Sequence, residues 1–370
     1  MRQNGEMAEL DLILEDLETL VNVESPSRDL DAMNKSAHAL AGIIEARLAT
    51  PAELVDTDAG PIVHWSGGGQ PKVVIVGHHD TVFPLGALAA RPFAIADGRA
   101  TGPGVFDMKG GIALAVHAVA ALADRHGVEL LFSPDEEVGS LASRAFIEAR
   151  AVACGAVLVL EPSADGGALK TARKGVGTFQ IDVHGRAAHA GLEPEKGVNA
   201  LIEAAHLVLA TASLADPSKG TTATPTVATA GTTDNVVPAH ARVLVDVRVE
   251  VEAEKERIES AMASLETHVE GTRIEVSGSI NRPPMPPTAS EWLFPLAVQV
   301  GAAEGLPTVT GRAVGGGSDG NFTAARGVAT LDGLGAVGGG AHSDDEFVLV
   351  GSLPDRRRLL TALLASLQQR

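Results

Sequence analysis

The strands predicted from this sequence are of two kinds, and the change from one kind to the other limits the fold more than any other feature. Three short runs, Lys72–Gly77, Val128–Ser133 and Ala156–Leu160, are almost continuously apolar. Such runs are typical of strands that helices cover on both faces of a sheet. Helical patterns at 109–124 and 141–151 separate them. The alternation predicts a mainly parallel sheet in a three-layer α/β domain.

A second pattern, in which apolar and polar residues alternate along the strands, begins near residue 178. The predicted strands are Thr178–Gly185, Thr226–Gly231, Ala241–Glu250 and Thr272–Ser277, and the predicted helices are Val198–Ser213 and Ala253–Glu266. Their order, β-α-β-β-α-β, is that of the ferredoxin-like motif. The proline-rich stretch Asn281–Thr288 ends this segment, and α/β alternation resumes up to a C-terminal helix near 354–369.

Two domains are therefore expected, which agrees with a length of 370 residues, because a single core rarely exceeds about 250–300 residues. Residues 1–174 and 284–370 are predicted to form the larger α/β domain. Residues 175–283 are predicted to form an inserted ferredoxin-like α+β domain. Two helices, one within the first 21 residues and one at 35–49, precede the first strand.

The composition excludes several classes of partner. The formal net charge of -18 argues against nucleic acid and anionic membranes, because both would repel the average surface field. No stretch is long and apolar enough to span a membrane, and the acidic, helical N-terminus does not resemble a signal peptide. A cytoplasmic protein is expected. The single cysteine, Cys154, cannot form an intrachain disulfide and is predicted to be a small buried core residue.

Five short polar patches follow predicted strands or lie in loops of the larger domain, where open α/β sheets usually place their sites. They are Gly77–Thr81 (GHHDT), Gly102–Gly111 (GPGVFDMKGG), Ser133–Ser140 (SPDEEVGS), Glu161–Ser163 (EPS) and Gly339–Glu346 (GGAHSDDE). Singly, each has a simpler explanation: a structural histidine, a helix N-cap or a solvated acidic loop. Together they supply two histidines and several carboxylates, a set of ligands that suits zinc, with cobalt or manganese as substitutes.

The five patches, in this order, resemble those of the di-zinc exopeptidase family that contains glutamate carboxypeptidases of the carboxypeptidase G type, aminoacylases and succinyl-diaminopimelate desuccinylases. The resemblance extends from Val21–Ser27 (VNVESPS) to the final helix. It implies two zinc ions in each subunit. His78 and Glu161 would hold one ion, Glu137 and His342 the other, and Asp107 would bridge both. The peptide bond after Asp107 is expected to be cis.

The resemblance also implies catalytic roles for three further residues. Glu136 would be the general base, which takes a proton from the attacking water and delivers one to the leaving amine. Asp80 would orient His78. His189, in the run Gly185–Gly191 (GRAAHAG), would reach the active site of a partner subunit in a homodimer and donate a hydrogen bond to the developing oxyanion.

A third group of residues is expected to bind the substrate. Arg248 occupies the position of an arginine that binds a carboxylate in the glutamate carboxypeptidases, and its planar fork suits that ligand. The other candidates are Asn235, the glycine-rich loop residues Gly316, Gly317, Ser318 and Asp319, and, with an approximate match of position, Lys170 and Arg282.

The function predicted from these residues is hydrolysis of an amide bond next to a free amino-acid carboxylate, with C-terminal glutamate as the first choice. An aminoacylase or N-acyl-amino-acid deacylase of the same family is the alternative. A metal-dependent amino-acid-binding protein without turnover is less favoured, because binding alone needs no base such as Glu136. A nucleotide-binding α/β protein has only its glycine-rich loops in support. With no tyrosine and 3% aromatic residues, the chain offers no evident stacking surface for a pteridine, so folate cleavage is not predicted.

Overall fold

The computed structural model describes residues 2–370, which divide into two compact units. Unit 1 comprises the described residues up to Ala172 together with Pro286–Val314 and Ser318–Arg370. Unit 2 comprises Arg173–Met285 and Gly315–Gly317. Within the described part of the chain, no helix has the length and apolar character needed to cross a membrane.

Helices and strands alternate through most of the described chain. The helices are α1 (Arg2–Val21), α2 (Leu30–Leu48), α3 (Ala87–Ala90), α4 (Gly110–Ala120), α5 (Arg144–Ala153), α6 (Ala200–Ala212), α7 (Glu252–Ala263), α8 (Leu293–Ala303), α9 (Gly320–Ala325) and α10 (Leu353–Gln368). The strands are β1 (Glu53–Val55), β2 (Ile62–Ser66), β3 (Val73–His78), β4 (Ala94–Ala96), β5 (Arg99–Thr101), β6 (Val128–Ser133), β7 (Ala156–Val159), β8 (Leu169–Arg173), β9 (Gly175–His184), β10 (Thr222–Ala230), β11 (His240–Val249), β12 (Arg273–Arg282), β13 (Gly311–Val314), β14 (Ala329–Leu331), β15 (Gly338–Gly339) and β16 (Phe347–Leu349).

The main sheet of unit 1 has the strand order β1-β2-β6-β3-β7-β14. The four strands from β6 to β14 are parallel, and β2 and β1 continue the sheet in antiparallel pairing. Successive residues of β3 contribute to different cores: Ile75 packs with α1, α2, α4 and α10 on one face, and Val74 and Val76 pack with α5 on the other. The three-layer α/β prediction is confirmed.

The parallel strands determine where the polar patches meet. β3 ends at His78, β6 ends at Ser133 just before Glu136, and β7 ends at Val159 just before Glu161. Because the carboxyl ends of parallel strands lie at the same edge of a sheet, these patches come together there.

Unit 2 contains an antiparallel sheet with the strand order β10-β11-β9-β12. Along β9, Phe179, Ile181 and Val183 are buried in the core formed with α6 and α7, and the residues between them are more exposed. The order β9-α6-β10-β11-α7-β12 confirms the predicted ferredoxin-like motif.

Some predicted bounds differ from the observed ones for identifiable reasons. Helix α4 ends at Ala120 rather than near residue 124, because the Arg125 guanidinium donates to the carbonyls of Val119 and Ala120 at 3.2 and 3.1 Å. Helix α2 begins earlier than predicted, because the Asp29 side chain caps it by accepting from the Ala32 amide at 3.0 Å. Cys154 is buried as predicted, and burial raises the pKa of its thiol to about 12.

Unit 2 also contains a buried carboxylate that gives a first testable prediction. Glu203 on α6 accepts hydrogen bonds from the amides of His268 and Val269 at 2.8 and 2.6 Å. Burial opposes its ionisation, but these bonds hold its pKa below the ordinary value. The unfolded chain therefore takes up a proton more readily, so the stability that ionised Glu203 contributes is present above the ordinary glutamate pKa. It is lost as the pH falls toward the lower pKa of the folded state.

We expect Glu203→Gln to lower the free energy of unfolding at pH 7 by about 1–3 kcal/mol, because the new amide places a donor against backbone amides. Urea unfolding from pH 7 to pH 3 should show the difference from the wild type shrinking as the pH falls. Glu256→Gln, on an exposed position of α7, is the control. A difference that is constant with pH would contradict the assignment.

Candidate metal centre

His78, the last residue of β3, has Asp80 on one side of its ring and a group of acidic side chains on the other. Its Nδ1 lies 3.0 Å from the Asp80 carbonyl oxygen and 3.3 Å from Asp80 Oδ1. Its Nε2 lies 3.2 Å from Asp107 Oδ1 and 3.7 Å from Glu161 Oε1. The ring therefore directs Nε2 toward the acids, as a metal-binding histidine held by a carboxylate would.

Asp107 stands in the turn Val105–Lys109 that precedes α4. Gly104 enters this turn with φ +74°, and a Cβ there would lie 2.5 Å from a methyl carbon of Thr81, so this close approach requires glycine. The peptide bond between Asp107 and Met108 is cis, as the family resemblance implied. The carboxylate is directed at two histidines, since Oδ1 faces His78 and Oδ2 lies 3.3 Å from His342 Nε2.

Glu137 and His342 complete the second half of the cluster. His342 Nε2 lies 3.2 Å from Glu137 Oε2. Glu137 Oε1 is buried and has no hydrogen-bond partner among residues 2–370. A buried carboxylate oxygen without a partner is costly, so this oxygen fits the role of a cation ligand.

These residues form a donor set that suits divalent cations. Ligand atoms of His78, Asp107 and Glu137 lie within 4.8 Å of one another, and so do those of His78, Glu136 and Glu161. Imidazole nitrogens mixed with carboxylate oxygens form a donor set that zinc accepts. One oxygen of Asp107 faces each histidine, which is the arrangement that a bridging carboxylate needs. The buried, unpartnered oxygen of Glu137 independently favours a cation-binding role for this side chain.

The electrostatics of the cluster agree with this interpretation. Hydrogen bonds with Asp107 and Glu137 raise the pKa of His342 to about 10. For His78, burial opposes the charged form, but hydrogen bonds with Asp107 and Asp80 hold its pKa well above the ordinary value. Burial of Asp107 opposes its ionisation, yet the two histidines hold its pKa below the usual range. In the metal-free protein, protons on the imidazoles thus neutralise the acids, and cations binding there would replace those protons.

The Asp80 carboxylate connects His78 to the neighbouring loop. It accepts from the amides of Glu136 and Glu137, both at 3.2 Å, and from Ser27 Oγ at 2.6 Å. Asp80 is fully buried, and Glu136 is only 8% exposed. One side chain therefore fixes the ring of His78 and the backbone of both glutamates. The contribution of Ser27 was not predicted, although it lies in the matched stretch Val21–Ser27.

In unit 2, His189 is exposed, but its ring is held by the backbone. Its Nδ1 accepts from the amides of Gly191 and Leu192 at 3.1 and 3.2 Å. The neutral ring must therefore carry its proton on Nε2, which makes that nitrogen a donor. Asn235 lies beside it, because its carbonyl accepts from the Ala190 amide at 2.9 Å.

Arg248 on β11 is also in unit 2 and is engaged by a neighbour. Its Nε and Nη2 donate to the two carboxylate oxygens of Asp246 at 2.9 and 2.8 Å. The guanidinium is half-buried and already forms the bidentate pair that a substrate carboxylate would form.

The predicted substrate loop is held by an arginine that the sequence analysis did not identify. Buried Arg173 donates to the carbonyls of Gly316 and Gly317 at 3.1 and 3.0 Å. A Cβ at Gly317 would lie 3.0 Å from Cδ of Arg282, so that side chain passes close to the loop. The available signal for Arg173 was a basic residue at the end of the short strand β8.

Three other candidates lie in unit 1. Ser318 Oγ donates to buried Asp332 at 2.6 Å. Asp319 is buried as well and accepts from the hydroxyls of Ser133, at 2.9 Å, and Ser140. These two side chains hold the loop in place. Lys170 Nζ lies 3.8 Å from Glu161 Oε2, beside the candidate metal ligands.

Comparison with known proteins gives a consistent result. A family model described as peptidase family M20/M25/M40 matches residues 74–366. Carboxypeptidase G2 from Pseudomonas sp. (strain RS-16) is 32% identical over 375 residues, covering 96% of this chain and 89% of that protein. A succinyl-diaminopimelate desuccinylase from Methylorubrum populi is 30% identical over 335 residues, covering 82% of this chain and 83% of the relative.

Solved structures share the fold. An M20 family metallo-carboxypeptidase, Sso-CP2 from Sulfolobus solfataricus, superposes with a TM-score of 0.75 at 17% identity, covering 98% of this chain and 99% of its own. The Bacillus subtilis YXEP protein, described as a dinuclear metal-binding peptidase of the M20 family, superposes with a TM-score of 0.64 at 17% identity and covers 98% of this chain and 99% of its own.

Proposed function

The chain belongs to peptidase family M20/M25/M40 and is a hydrolase of that family, and from this premise we propose that it cleaves an amide bond next to a free amino-acid carboxylate. Its most favoured product is a C-terminal glutamate or a similar amino acid, released from a peptide or an N-acyl amino acid. The similarity to carboxypeptidase G2 over nearly the whole chain supports this choice. The observation that carries the proposal is the Asp107 carboxylate, whose oxygens face His78 and His342 separately.

Zinc is the proposed metal, with two ions in each subunit and cobalt or manganese as substitutes. His78 and Glu161 would hold one ion, Glu137 and His342 the other, and Asp107 both. Bound cations would lower the pKa of a coordinated water and polarise the scissile carbonyl.

The chain's own residues then carry the proton and position the substrate. Glu136 accepts the proton of the attacking water and returns it to the leaving amine. His189 donates from Nε2, the nitrogen that its backbone contacts leave protonated, to the oxyanion of a neighbouring subunit's substrate. Arg248 releases Asp246 and binds the substrate carboxylate in its place.

The test is hydrolysis of a panel of peptides and N-acyl amino acids by zinc-loaded protein, with Glu136→Ala in parallel. Release of glutamate from peptides, lost in the variant while two ions remain bound, would support the proposal. Preferential cleavage of N-succinyl or N-acetyl amino acids would instead favour a deacylase, the alternative that the desuccinylase relative supports. Binding of two ions without turnover of any substrate would favour a metal-dependent binding protein.

A homodimer formed through unit 2 is part of the proposal. Leu209, Leu201 and Ile202 of α6 are 70%, 51% and 51% exposed. The adjacent strand β10 is an edge of its sheet, and residues 226–230 along it are exposed. A second copy of the same face would cover the apolar residues and pair with the open edge.

We expect Leu209→Glu to convert the dimer to a monomer, because a charge placed at the centre of an apolar interface loses its hydration. Light scattering after size-exclusion chromatography measures the mass. kcat should fall with it, because His189 of the partner subunit is then missing. Leu85→Glu, at another exposed leucine, is the control. A monomeric wild type would contradict the dimer.

A further inference from the structure

Glu346 is a buried carboxylate on the loop that carries His342, and the proposed reaction gives it no role. It is 1% exposed and lies directly before β16. Its Oε2 accepts from the Gly104 amide at 3.0 Å, and its Oε1 accepts from the amides of Phe106 and Asp107, both at 2.8 Å. One side chain therefore satisfies three backbone donors of the turn that presents Asp107.

These hydrogen bonds leave little freedom in the turn. Gly104 and Phe106 are buried, so their amides need a partner within the protein. An ionised carboxylate has only acceptor sites, and it can serve three amides at once. An amide side chain of the same size cannot do so, because its NH₂ group would face an N–H donor.

The same carboxylate links two candidate metal ligands. Glu346 is four residues after His342, and its Oε1 accepts from the amide of Asp107 itself. His342 Nε2 in turn lies 3.3 Å from Asp107 Oδ2, which closes a ring of contacts from Glu346 through Asp107 and His342. The separation of these two side chains is thus set by a short closed path that runs through Glu346.

We propose that Glu346 is a positioning residue that fixes Asp107 relative to His342 and so determines how tightly the cation of Glu137, His342 and Asp107 is held. The inference rests on the proposed two-metal centre. It requires no contact between Glu346 and the ion or the substrate. It predicts that substitution of Glu346 lowers the affinity for one metal ion by more than a general loss of stability would.

Glu24 provides a matched control. Its two carboxylate oxygens accept from the amides of Gly86 and Leu88 at 3.0 and 2.9 Å, so it also holds a backbone turn of unit 1. That turn carries none of the candidate ligands. Glu24→Gln therefore measures the cost of removing an amide-binding glutamate away from the candidate ligands, and Glu346→Gln adds the effect on the metal centre to the cost of a more deeply buried site.

The experiment compares the full-length wild type, Glu346→Gln and Glu24→Gln after the metal has been removed. Zinc affinity is measured by competition with a chromophoric chelator, the ligand geometry by the visible spectrum of the cobalt-loaded protein, and stability by thermal unfolding of the metal-free protein. Glu346→Gln should weaken binding of the ion held by Glu137, His342 and Asp107 by about 10- to 100-fold and change the cobalt spectrum. Glu24→Gln should leave both readouts at the wild-type values, whatever its melting temperature.

Two wild-type affinities and an unchanged spectrum in Glu346→Gln would overturn the proposal. If that variant has no cooperative unfolding transition, Glu346→Asp replaces it, since the shorter side chain keeps the charge but cannot reach all three amides. If Glu346→Asp also fails to fold, the role is structural and the proposal is wrong. A wild type that binds two ions but hydrolyses nothing would contradict the proposed function alone, and the metal affinities would still decide the role of Glu346.

Discussion

Substitution of Glu136 by glutamine is expected to lower kcat by about 10²- to 10⁴-fold while both metal ions remain bound. Glutamine keeps the size of the side chain, but its amide cannot accept a proton at neutral pH. The backbone should not move, because the Glu136 amide stays hydrogen-bonded to Asp80. Initial rates of amino-acid release give kcat, and mass spectrometry of the dialysed protein gives the metal content.

The neighbouring residue supplies the matched comparison. Glu137→Gln makes the same chemical change one position further along, at the residue whose carboxylate faces His342. This variant should lose one ion, and Glu136→Gln should lose none. The comparison is needed because the ligand atoms of Glu136 also lie close to those of His78 and Glu161. Loss of an ion from Glu136→Gln, with none lost from Glu137→Gln, would instead make Glu136 the metal ligand and Glu137 the general base.

Substitution of Asp107 by asparagine should have an effect of similar size by a different route. Asparagine keeps only one carboxyl-derived oxygen. It can therefore ligate a cation beside His78 or beside His342, whereas Asp107 has an oxygen facing each. We expect the bound metal to fall from two ions to one per chain. Losing several kcal/mol of charge stabilisation corresponds to a decrease in kcat of about 10³-fold.

Metal analysis and kcat again provide the measurement. Asp345→Asn, at an exposed aspartate on the His342 loop, makes the same change of charge outside the cluster and should keep two ions. Two ions retained in Asp107→Asn would show that the carboxylate does not bridge, and the assignment of the centre would then have to change.

The part of the site that the sequence predicts well is the part built on strand ends. His78 ends one buried apolar run, and Glu136 and Glu161 follow two others, so parallel pairing brings them to the same edge. The fold class followed from the same runs. The order of the ferredoxin-like segment could also be predicted, because its strands alternate apolar and polar residues along half-buried faces.

The sequence does not predict partners that are distant along the chain. Asp319 lies in a glycine-rich loop that suggested substrate binding, but its carboxylate accepts from Ser133 and Ser140, more than 170 residues earlier. Glu346 and Arg173 likewise act on backbone groups far from them in the sequence. In contrast, the pairing of Arg248 with Asp246 could have been predicted from the sequence, because residues two apart in a strand lie on the same face.

The distribution of the ligands along the chain has a consequence for how the protein is made. Glu161 and His342 are 181 residues apart, and all of unit 2, along with part of unit 1, is synthesised between them. At about 5–20 residues per second, roughly 10–35 s separate the two on the ribosome. During that interval the nascent chain already presents the acids and His78. The proposed metal centre can therefore be completed only near the end of translation, after the inserted segment has emerged and had time to fold.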